Sequence, residues 1–175
     1  THTYAMSLLA EIANRLGYFN DAEFLLEKAV SFKPDDGDLR MKFATILRKK
    51  QKFAKTIEQV NILCEKFPDN PIYKAQKASE IMQNGGHEEA IEILEDLIKK
   101  NPYNFSTFTS KGHAEKTLGR SDQAIDSYKS AYKIKPDHGE AFFSLANLKT
   151  YSFSDSELNS MRDQVKRVDL SLRDK

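Results

Sequence analysis

The sequence predicts an all-α protein: a serial array of about four and a half repeated helical units, followed by one further helix. Three observations predict it. Four of the five prolines, Pro34, Pro68, Pro102 and Pro136, stand 34 residues apart, and a fixed period of this length is the mark of a repeat array. Small and large residues then fall in register with those prolines. Glycine and proline are few, 7 and 5, which disfavours a turn-rich β fold.

Counting each unit so that its proline is the thirty-second residue gives units 3–36, 37–70, 71–104 and 105–138, and a half unit 139–151. The eighth column reads Ala10, Ala44, Ala78, Gly112 and Ala146. The twentieth reads Ala22, Thr56, Ala90 and Ala124, and the twenty-seventh Ala29, Leu63, Leu97 and Ala131. The twenty-fourth is larger: Leu26, Val60, Leu94 and Tyr128. Small residues let two helices approach, and larger ones fill the space between them. Gly17, Gly85 and Gly119 share a column where the chain must turn, and Gln51 breaks it. Each loop proline closes a helix, because it cannot continue the hydrogen-bond ladder.

After the half unit the pattern changes. Ser154 and Glu157 form an S-x-x-E capping box, with Phe153 placed to staple onto Leu158. Leu158, Met161, Val165, Val168 and Leu172 then recur at helical spacing. This predicts a helix over 154–172 that caps the array or links it to a further domain.

The period, the small columns and the loop proline resemble the tetratricopeptide repeat (TPR) family. That resemblance implies a helix A–turn–helix B unit and a right-handed α-solenoid, stabilised by interfaces between neighbouring units. The chain departs from the family pattern in places. Met6, Arg40, Lys74, Phe108 and Phe142 stand where the family carries Trp, and the normally apolar seventh column holds Lys77 and Lys111.

A narrower likeness lies in GHAEKTLGRSDQ (112–123) and PDHGEAFFSLANLKTYSFSDSELNSM (136–161). These stretches look like the end of the repeat region in bacterial TPR-containing sulfotransferases. The resemblance implies the N-terminal module of a larger protein whose covalently linked sulfotransferase domain uses an activated phosphosulfate donor. No G-x-x-x-x-G-K-S/T motif is present, so none of that family's catalytic residues has a counterpart here.

Composition narrows the function classes. Lys and Arg number 27 against 26 Asp and Glu, a net charge of +1. That balance argues against a nucleic-acid binder, which needs a basic excess. No apolar stretch approaches the ~20 residues of a membrane span. The opening THTYAMSLLAEIANRLG lacks the basic and apolar regions of a secretory signal. Cys64 is alone, so it can join no intrachain disulfide, and a buried structural thiol is expected there. These features fit a cytoplasmic protein.

Catalytic and metal chemistry find no constellation. His2, His87 and His138 are terminal or near turns. His113 lies at the ninth position of a helix A, either as a half-exposed polar residue or as a ligand contact. Asp35–Asp36 and Glu88–Glu89 lack the shielded cleft that acid–base work requires, and the second pair suits a helix N-terminus. Neither a cofactor nor a metal site is expected. From Arg40 to Lys55 seven basic residues occur with no acidic one; they form either a solvated face or a spot for an anion. Lys77 and Lys111 can snorkel, with Glu80 and Glu115 as local partners, or form a basic feature for a ligand.

The TPR resemblance places the inner, concave surface at the second, fifth, ninth, twelfth and thirteenth positions of each helix A. The candidate partner-binding residues there are Glu11, Asn14, Arg15, Arg48, Lys49, Met82, His113, Lys116, Asn147 and Tyr151. The fifth and ninth pairs, Ser7/Glu11, Met41/Thr45, Ala75/Ser79 and Thr109/His113, do not match the carboxylate clamp of chaperone-binding members. The expected function is a non-catalytic scaffold for a protein or peptide partner. The alternative is a structural module for homo-oligomer formation or for orienting a downstream domain.

Overall fold

The computed structural model describes residues 2–167. Ten helices and no strand occur among them: α1 His2–Arg15, α2 Phe19–Phe32, α3 Gly37–Lys49, α4 Phe53–Lys66, α5 Pro71–Gln83, α6 His87–Lys100, α7 Phe105–Thr117, α8 Ser121–Ile134, α9 Gly139–Ala146 and α10 Asp155–Val165. The all-helical class is therefore as expected. Val168 and Leu172, which the apolar spacing assigned to the last helix, lie outside the described residues.

The chain divides into two compact halves, Thr1–Asn84 and Gly85–Lys175. In the first, consecutive helices from α1 through α5 pack pairwise; in the second, those from α6 through α9 do the same. The first half is centred on Ala10, Leu26, Ala29, Phe43, Ile46 and Leu47. Side chains such as Leu47 and Leu63 are wholly buried, each contributing about 1.5–3 kcal/mol of transfer free energy. The second half gathers Ala124, Tyr128, Leu145 and Leu148, with Tyr132, Tyr151 and Phe153 packed around them.

The two helix types start by different means. Helices α3, α5 and α7 are capped by Asp36, Asn70 and Asn104, which share the last column of the unit. Asp36 accepts from Leu39 N at 3.1 Å, Asn70 from Ile72 N at 2.9 Å, and Asn104 from Ser106 N at 3.1 Å. Each satisfies an amide that the helix itself leaves unbonded. The next residue in that column, His138, precedes α9 but makes no such cap. It is buried instead, with its ring edge-on to Phe105 at 4.7 Å and Nε2 2.9 Å from Thr109 Oγ1.

Helices α2, α4, α6 and α8 have no side-chain cap. Two residues before each lies a residue with positive φ: Gly17 (81°), Gln51 (57°), Gly85 (86°) and Gly119 (75°). The Gln51 break is thus one of residue type only, since the backbone keeps the left-handed turn. Arg40, off pattern in the same unit, is buried and donates to Gln59 Oε1 at 2.6 Å and to the Pro34 carbonyl at 2.8 Å. Thr56, also off pattern, is buried and donates to the Lys52 carbonyl at 3.1 Å.

Candidate partner-binding site

In the first half, α1 and α3 flank a groove of about 330 Å³ with α2 at its base. Ala10, Leu26 and Ile46 supply apolar surface; Ser7, Glu11, Asn14, Lys42 and Thr45 supply polar groups. Helical spacing puts Ser7, Glu11 and Asn14 on one stripe of α1. Two polar contacts tie α1 to α3: Lys42 Nζ donates to Ser7 Oγ at 3.2 Å, and Lys49 Nζ to Asn14 Oδ1 at 2.7 Å.

Among the sequence-derived candidates, Glu11 and Asn14 line this groove. Arg15 is exposed and held by Glu11 at 2.8 Å. Lys49 joins through Asn14 and also lies over the Phe19 ring at 5.5 Å. Arg48 turns to Glu80 on α5 at 3.3 Å. Met82 is half-buried on α5, outside the groove. Lys42, Thr45, Ser7 and Ile46 were not singled out as site residues, although Ser7 and Thr45 occupy inner-face columns. The inner-face columns are the signal for Ser7 and Thr45, whereas Lys42 and Ile46 lie in other columns.

The second half holds the other four candidates. His113 bridges Tyr128 and Glu140, with Nδ1 2.9 Å from the Tyr128 hydroxyl and Nε2 3.3 Å from Glu140 Oε1. Lys116 is exposed, and Asn147 is exposed at the C-cap of α9. The Tyr151 ring carries Lys129 Nζ at 5.0 Å, and its hydroxyl donates to Glu157 at 2.5 Å. Glu157 also accepts from Tyr132 at 2.7 Å and from the Ser154 amide and hydroxyl at 2.9 and 2.8 Å. Burial would raise the Glu157 carboxyl, but these donors outweigh it and hold the group at about 2. Burial and this carboxylate push Tyr132 up to about 12 and raise Tyr151 as well. The result is a clasp that fastens α10 to α8 and to the segment after α9.

The basic run is largely engaged within the protein. Glu23 takes Lys50 and, at 2.6 Å, Lys52. Burial opposes ionisation of Glu23, yet the two ammonium groups lower its pKa. Lys42 pairs with Asp38 at 3.1 Å, and Arg40, Arg48 and Lys49 are bonded as above. A run that reads as a cationic block in sequence is therefore distributed over carboxylates, amides and a carbonyl.

Lys111 reaches Glu95 at 2.9 Å and Glu115 at 3.5 Å, and Ser127 donates to Glu115 at 2.6 Å. These residues line a polar hollow of about 450 Å³ with Phe108 and Arg120. Lys111 and Glu115 form the expected local pair, while the bonds to Glu80 come from Arg48 and Gln76. Cys64 is half-buried rather than buried, and burial raises its thiol pKa. Among the described residues there is no cluster of three or more metal-ligating side chains and no helix long and apolar enough to cross a membrane.

A family model described as "Psidin, N-terminal TPR repeats region" matches residues 39–161, and one for the tetratricopeptide repeat matches 3–36. A curated relative, "Small glutamine-rich tetratricopeptide repeat-containing protein 2" of Mycosarcoma maydis, is 26% identical over 108 residues; the match spans 62% of this chain and 31% of that protein. Among solved structures, MamA residues 41 to the end from Desulfovibrio magneticus RS-1 superposes with a TM-score of 0.73 at 11% identity, covering 94% of each chain. A structure titled MamA AMB-1 superposes with a TM-score of 0.67 at 22% identity, covering 91% of this chain and 95% of that one. At these identities the likeness to the solved structures is one of fold.

Proposed function

Because the chain belongs to the tetratricopeptide repeat family, in the group described as the Psidin N-terminal TPR repeats region, we propose that it is a non-catalytic scaffold that holds an extended peptide segment of a protein partner in the α1–α3 groove. The groove carries the reading. Its apolar base of Ala10, Leu26 and Ile46 accepts one nonpolar side chain, and Asn14, Thr45, Ser7 and Lys42 offer donors and acceptors to a peptide backbone. Glu11, Asn14 and Lys49 are the binding residues assigned to this groove, with Arg15 beside them through its bond to Glu11.

The test is selection of peptides from a random library on the immobilised chain, then affinity measurement against the Thr45→Arg variant. Thr45 is half-buried at the groove, so an arginine there fills it. Selected peptides should lose at least tenfold in affinity for that variant. Equal affinity for both proteins refutes the groove.

A second reading rests on the α10 clasp. Four donors on Glu157 fix the direction in which the chain leaves the repeats. Together with the likeness of 112–123 and 136–161 to bacterial sulfotransferases, this supports a cytoplasmic module that orients a sulfotransferase-like domain. Sequencing the complete open reading frame tests it: a phosphate-binding α/β domain after Lys175 supports it, and any other continuation refutes it.

A further inference from the structure

The turn after α5 is closed less firmly than the other helix A–helix B turns. Helices α1, α3 and α7 each end in the same pair of backbone hydrogen bonds. After α1, Gly17 N donates to Asn14 O at 3.2 Å and Tyr18 N to Ala13 O at 2.8 Å. After α3, Gln51 N donates to Arg48 O at 2.8 Å and Lys52 N to Leu47 O at 2.9 Å. After α7, Gly119 N donates to Lys116 O at 3.0 Å and Arg120 N to Glu115 O at 2.9 Å. Such a pair satisfies carbonyls that the helix leaves unbonded. After α5 the corresponding donors are Gly85 and Gly86, and among the described residues neither amide donates a hydrogen bond. Two glycines in succession give this turn more backbone freedom than the others. Asn84, just before them, is exposed, and its side chain bonds to no described residue. Of the chain's asparagines, it alone precedes a glycine.

We propose that Asn84–Gly85 is a site of spontaneous covalent modification, at which the chain converts Asn84 to isoaspartate and aspartate through a cyclic imide. The Gly85 nitrogen gives its proton to water and attacks Asn84 Cγ. A C–N bond forms there, the bond from Cγ to Nδ2 breaks, and Nδ2 leaves as ammonia with a proton from water. Water then opens the ring. Opening at Cγ gives aspartate; opening at the main-chain carbonyl gives isoaspartate, whose backbone runs through Cβ and Cγ. The balance is asparagine and water to acid and ammonia, with no oxidant or cofactor. At φ −93° and ψ 8° the Gly85 nitrogen is turned away from Cγ, so the peptide plane between the two residues must rotate before attack. The open turn permits that rotation, whereas in the other three turns it breaks the paired bonds. A Cβ on the attacking residue would obstruct the approach; Gly85 has none, and nothing lies within 4 Å of where one would stand. The product carries a carboxylate at the C-cap of α5, where the helix dipole disfavours negative charge and the last turn holds no basic residue. Isoaspartate also lengthens the main chain at the peptide where the two compact halves join. The site thus writes the age of the chain into its own backbone.

Incubation of the full chain at mildly alkaline pH in heavy-oxygen water, followed by peptide mapping, reads the proposal directly. Mass spectrometry locates the labelled acid, and isoaspartyl methyltransferase with a labelled methyl donor counts the isoaspartate. Asn84 should be the residue modified, and ion exchange should show a new form whose net charge has fallen from +1 to 0. Asn84→Gln keeps the amide but disfavours the ring; it should abolish the labelling with an unchanged circular-dichroism spectrum. Leu16→Asn, at an exposed position, places the same dipeptide in the turn after α1, where both hydrogen bonds are made. It should react about tenfold or more slowly than Asn84, since rotation there first breaks those bonds. An Asn84 that stays intact, or labelling at this turn that persists in Asn84→Gln, overturns the site. Equal rates at Asn84 and in Leu16→Asn overturn the part assigned to the open turn.

Discussion

Replacing Gly112 by alanine tests how the repeat columns compensate one another. Across the array, the eighth and twenty-fourth columns pair Ala10 with Leu26, Ala44 with Val60, and Ala78 with Leu94. In the fourth unit the larger residue is Tyr128, wholly buried, and its small partner is Gly112. A Cβ built on Gly112 would lie 2.6 Å from Tyr128 Cε1 and 2.8 Å from Cδ1, where ordinary contact is 3.4–4 Å. Tyr128 cannot swing aside, because its hydroxyl is bonded to His113 and its ring is enclosed. Helix propensity alone favours alanine by about 1 kcal/mol, whereas overpacking costs about 1–3 kcal/mol. With the ring held on several sides, the upper part of that range applies, so Gly112→Ala should destabilise by about 1–2 kcal/mol. Thermal unfolding followed by circular dichroism should show a midpoint about 5 °C lower. Tyr128→Leu alone leaves a void and deprives His113 of a partner, costing about 2 kcal/mol or more. The double variant recreates the Ala78–Leu94 pair and should cost at least about 1 kcal/mol less than the two singles summed. A Gly112→Ala chain as stable as the wild type, or a strictly additive double variant, would refute the reasoning.

Two further outcomes follow from the same structure. Gln51 adopts φ 57° in a column otherwise filled by glycine, and a left-handed residue with a side chain costs about 1–2 kcal/mol, so Gln51→Gly should raise the denaturant midpoint by an amount equivalent to about 1 kcal/mol. Glu157 is held at about 2 against an ordinary 4.5. Its contribution is therefore complete above pH 4.5 and lost as the pH falls towards 2, about 1 kcal/mol once solvent screening is discounted. Nuclear magnetic resonance of Tyr132 and Tyr151 should report α10 loosening across that window, and the same acid transition in Glu157→Gln would rule the clasp out as its cause.

The parts of the fold that depend on covalent geometry and volume are legible in the sequence. Pro34, Pro68, Pro102 and Pro136 mark the period because proline ends a helix wherever it falls. Ala22, Ala90 and Ala124 mark the helix contacts because little else fits there. The Ser154–Glu157 capping box is local, and the structure contains it as read. The polar partnerships are different in kind. That Glu23 gathers Lys50 and Lys52, or that Arg48 turns to Glu80, depends on residues some 30 positions apart and on rotamers of long side chains. The basic run thus reads as one patch in sequence and as several separate bonds in space. Arg40 and Gln51 carry a related lesson. Each breaks a column by residue type, but Arg40 finds acceptors at Gln59 and Pro34, and Gln51 keeps the turn at a cost in backbone strain. The groove is half legible: Glu11 and Asn14 lie in inner-face columns, whereas Lys42 and Ile46 belong to others and reach it only because α3 packs against α2 beside α1.

The long-range polar bonds also number the repeats. The apolar columns are nearly interchangeable from unit to unit, and by themselves would let a unit be shifted, duplicated or skipped with little loss. The bonds from Lys50 and Lys52 to Glu23, from Lys49 to Asn14 and from Arg48 to Glu80 are not interchangeable, because each has its counterpart in one neighbour only. An array slipped by one unit would keep its greasy contacts but leave Glu23 half-buried without its cations, the costly side of such a pair. The volume pattern thus says that units stack, and the charge pattern says in which order.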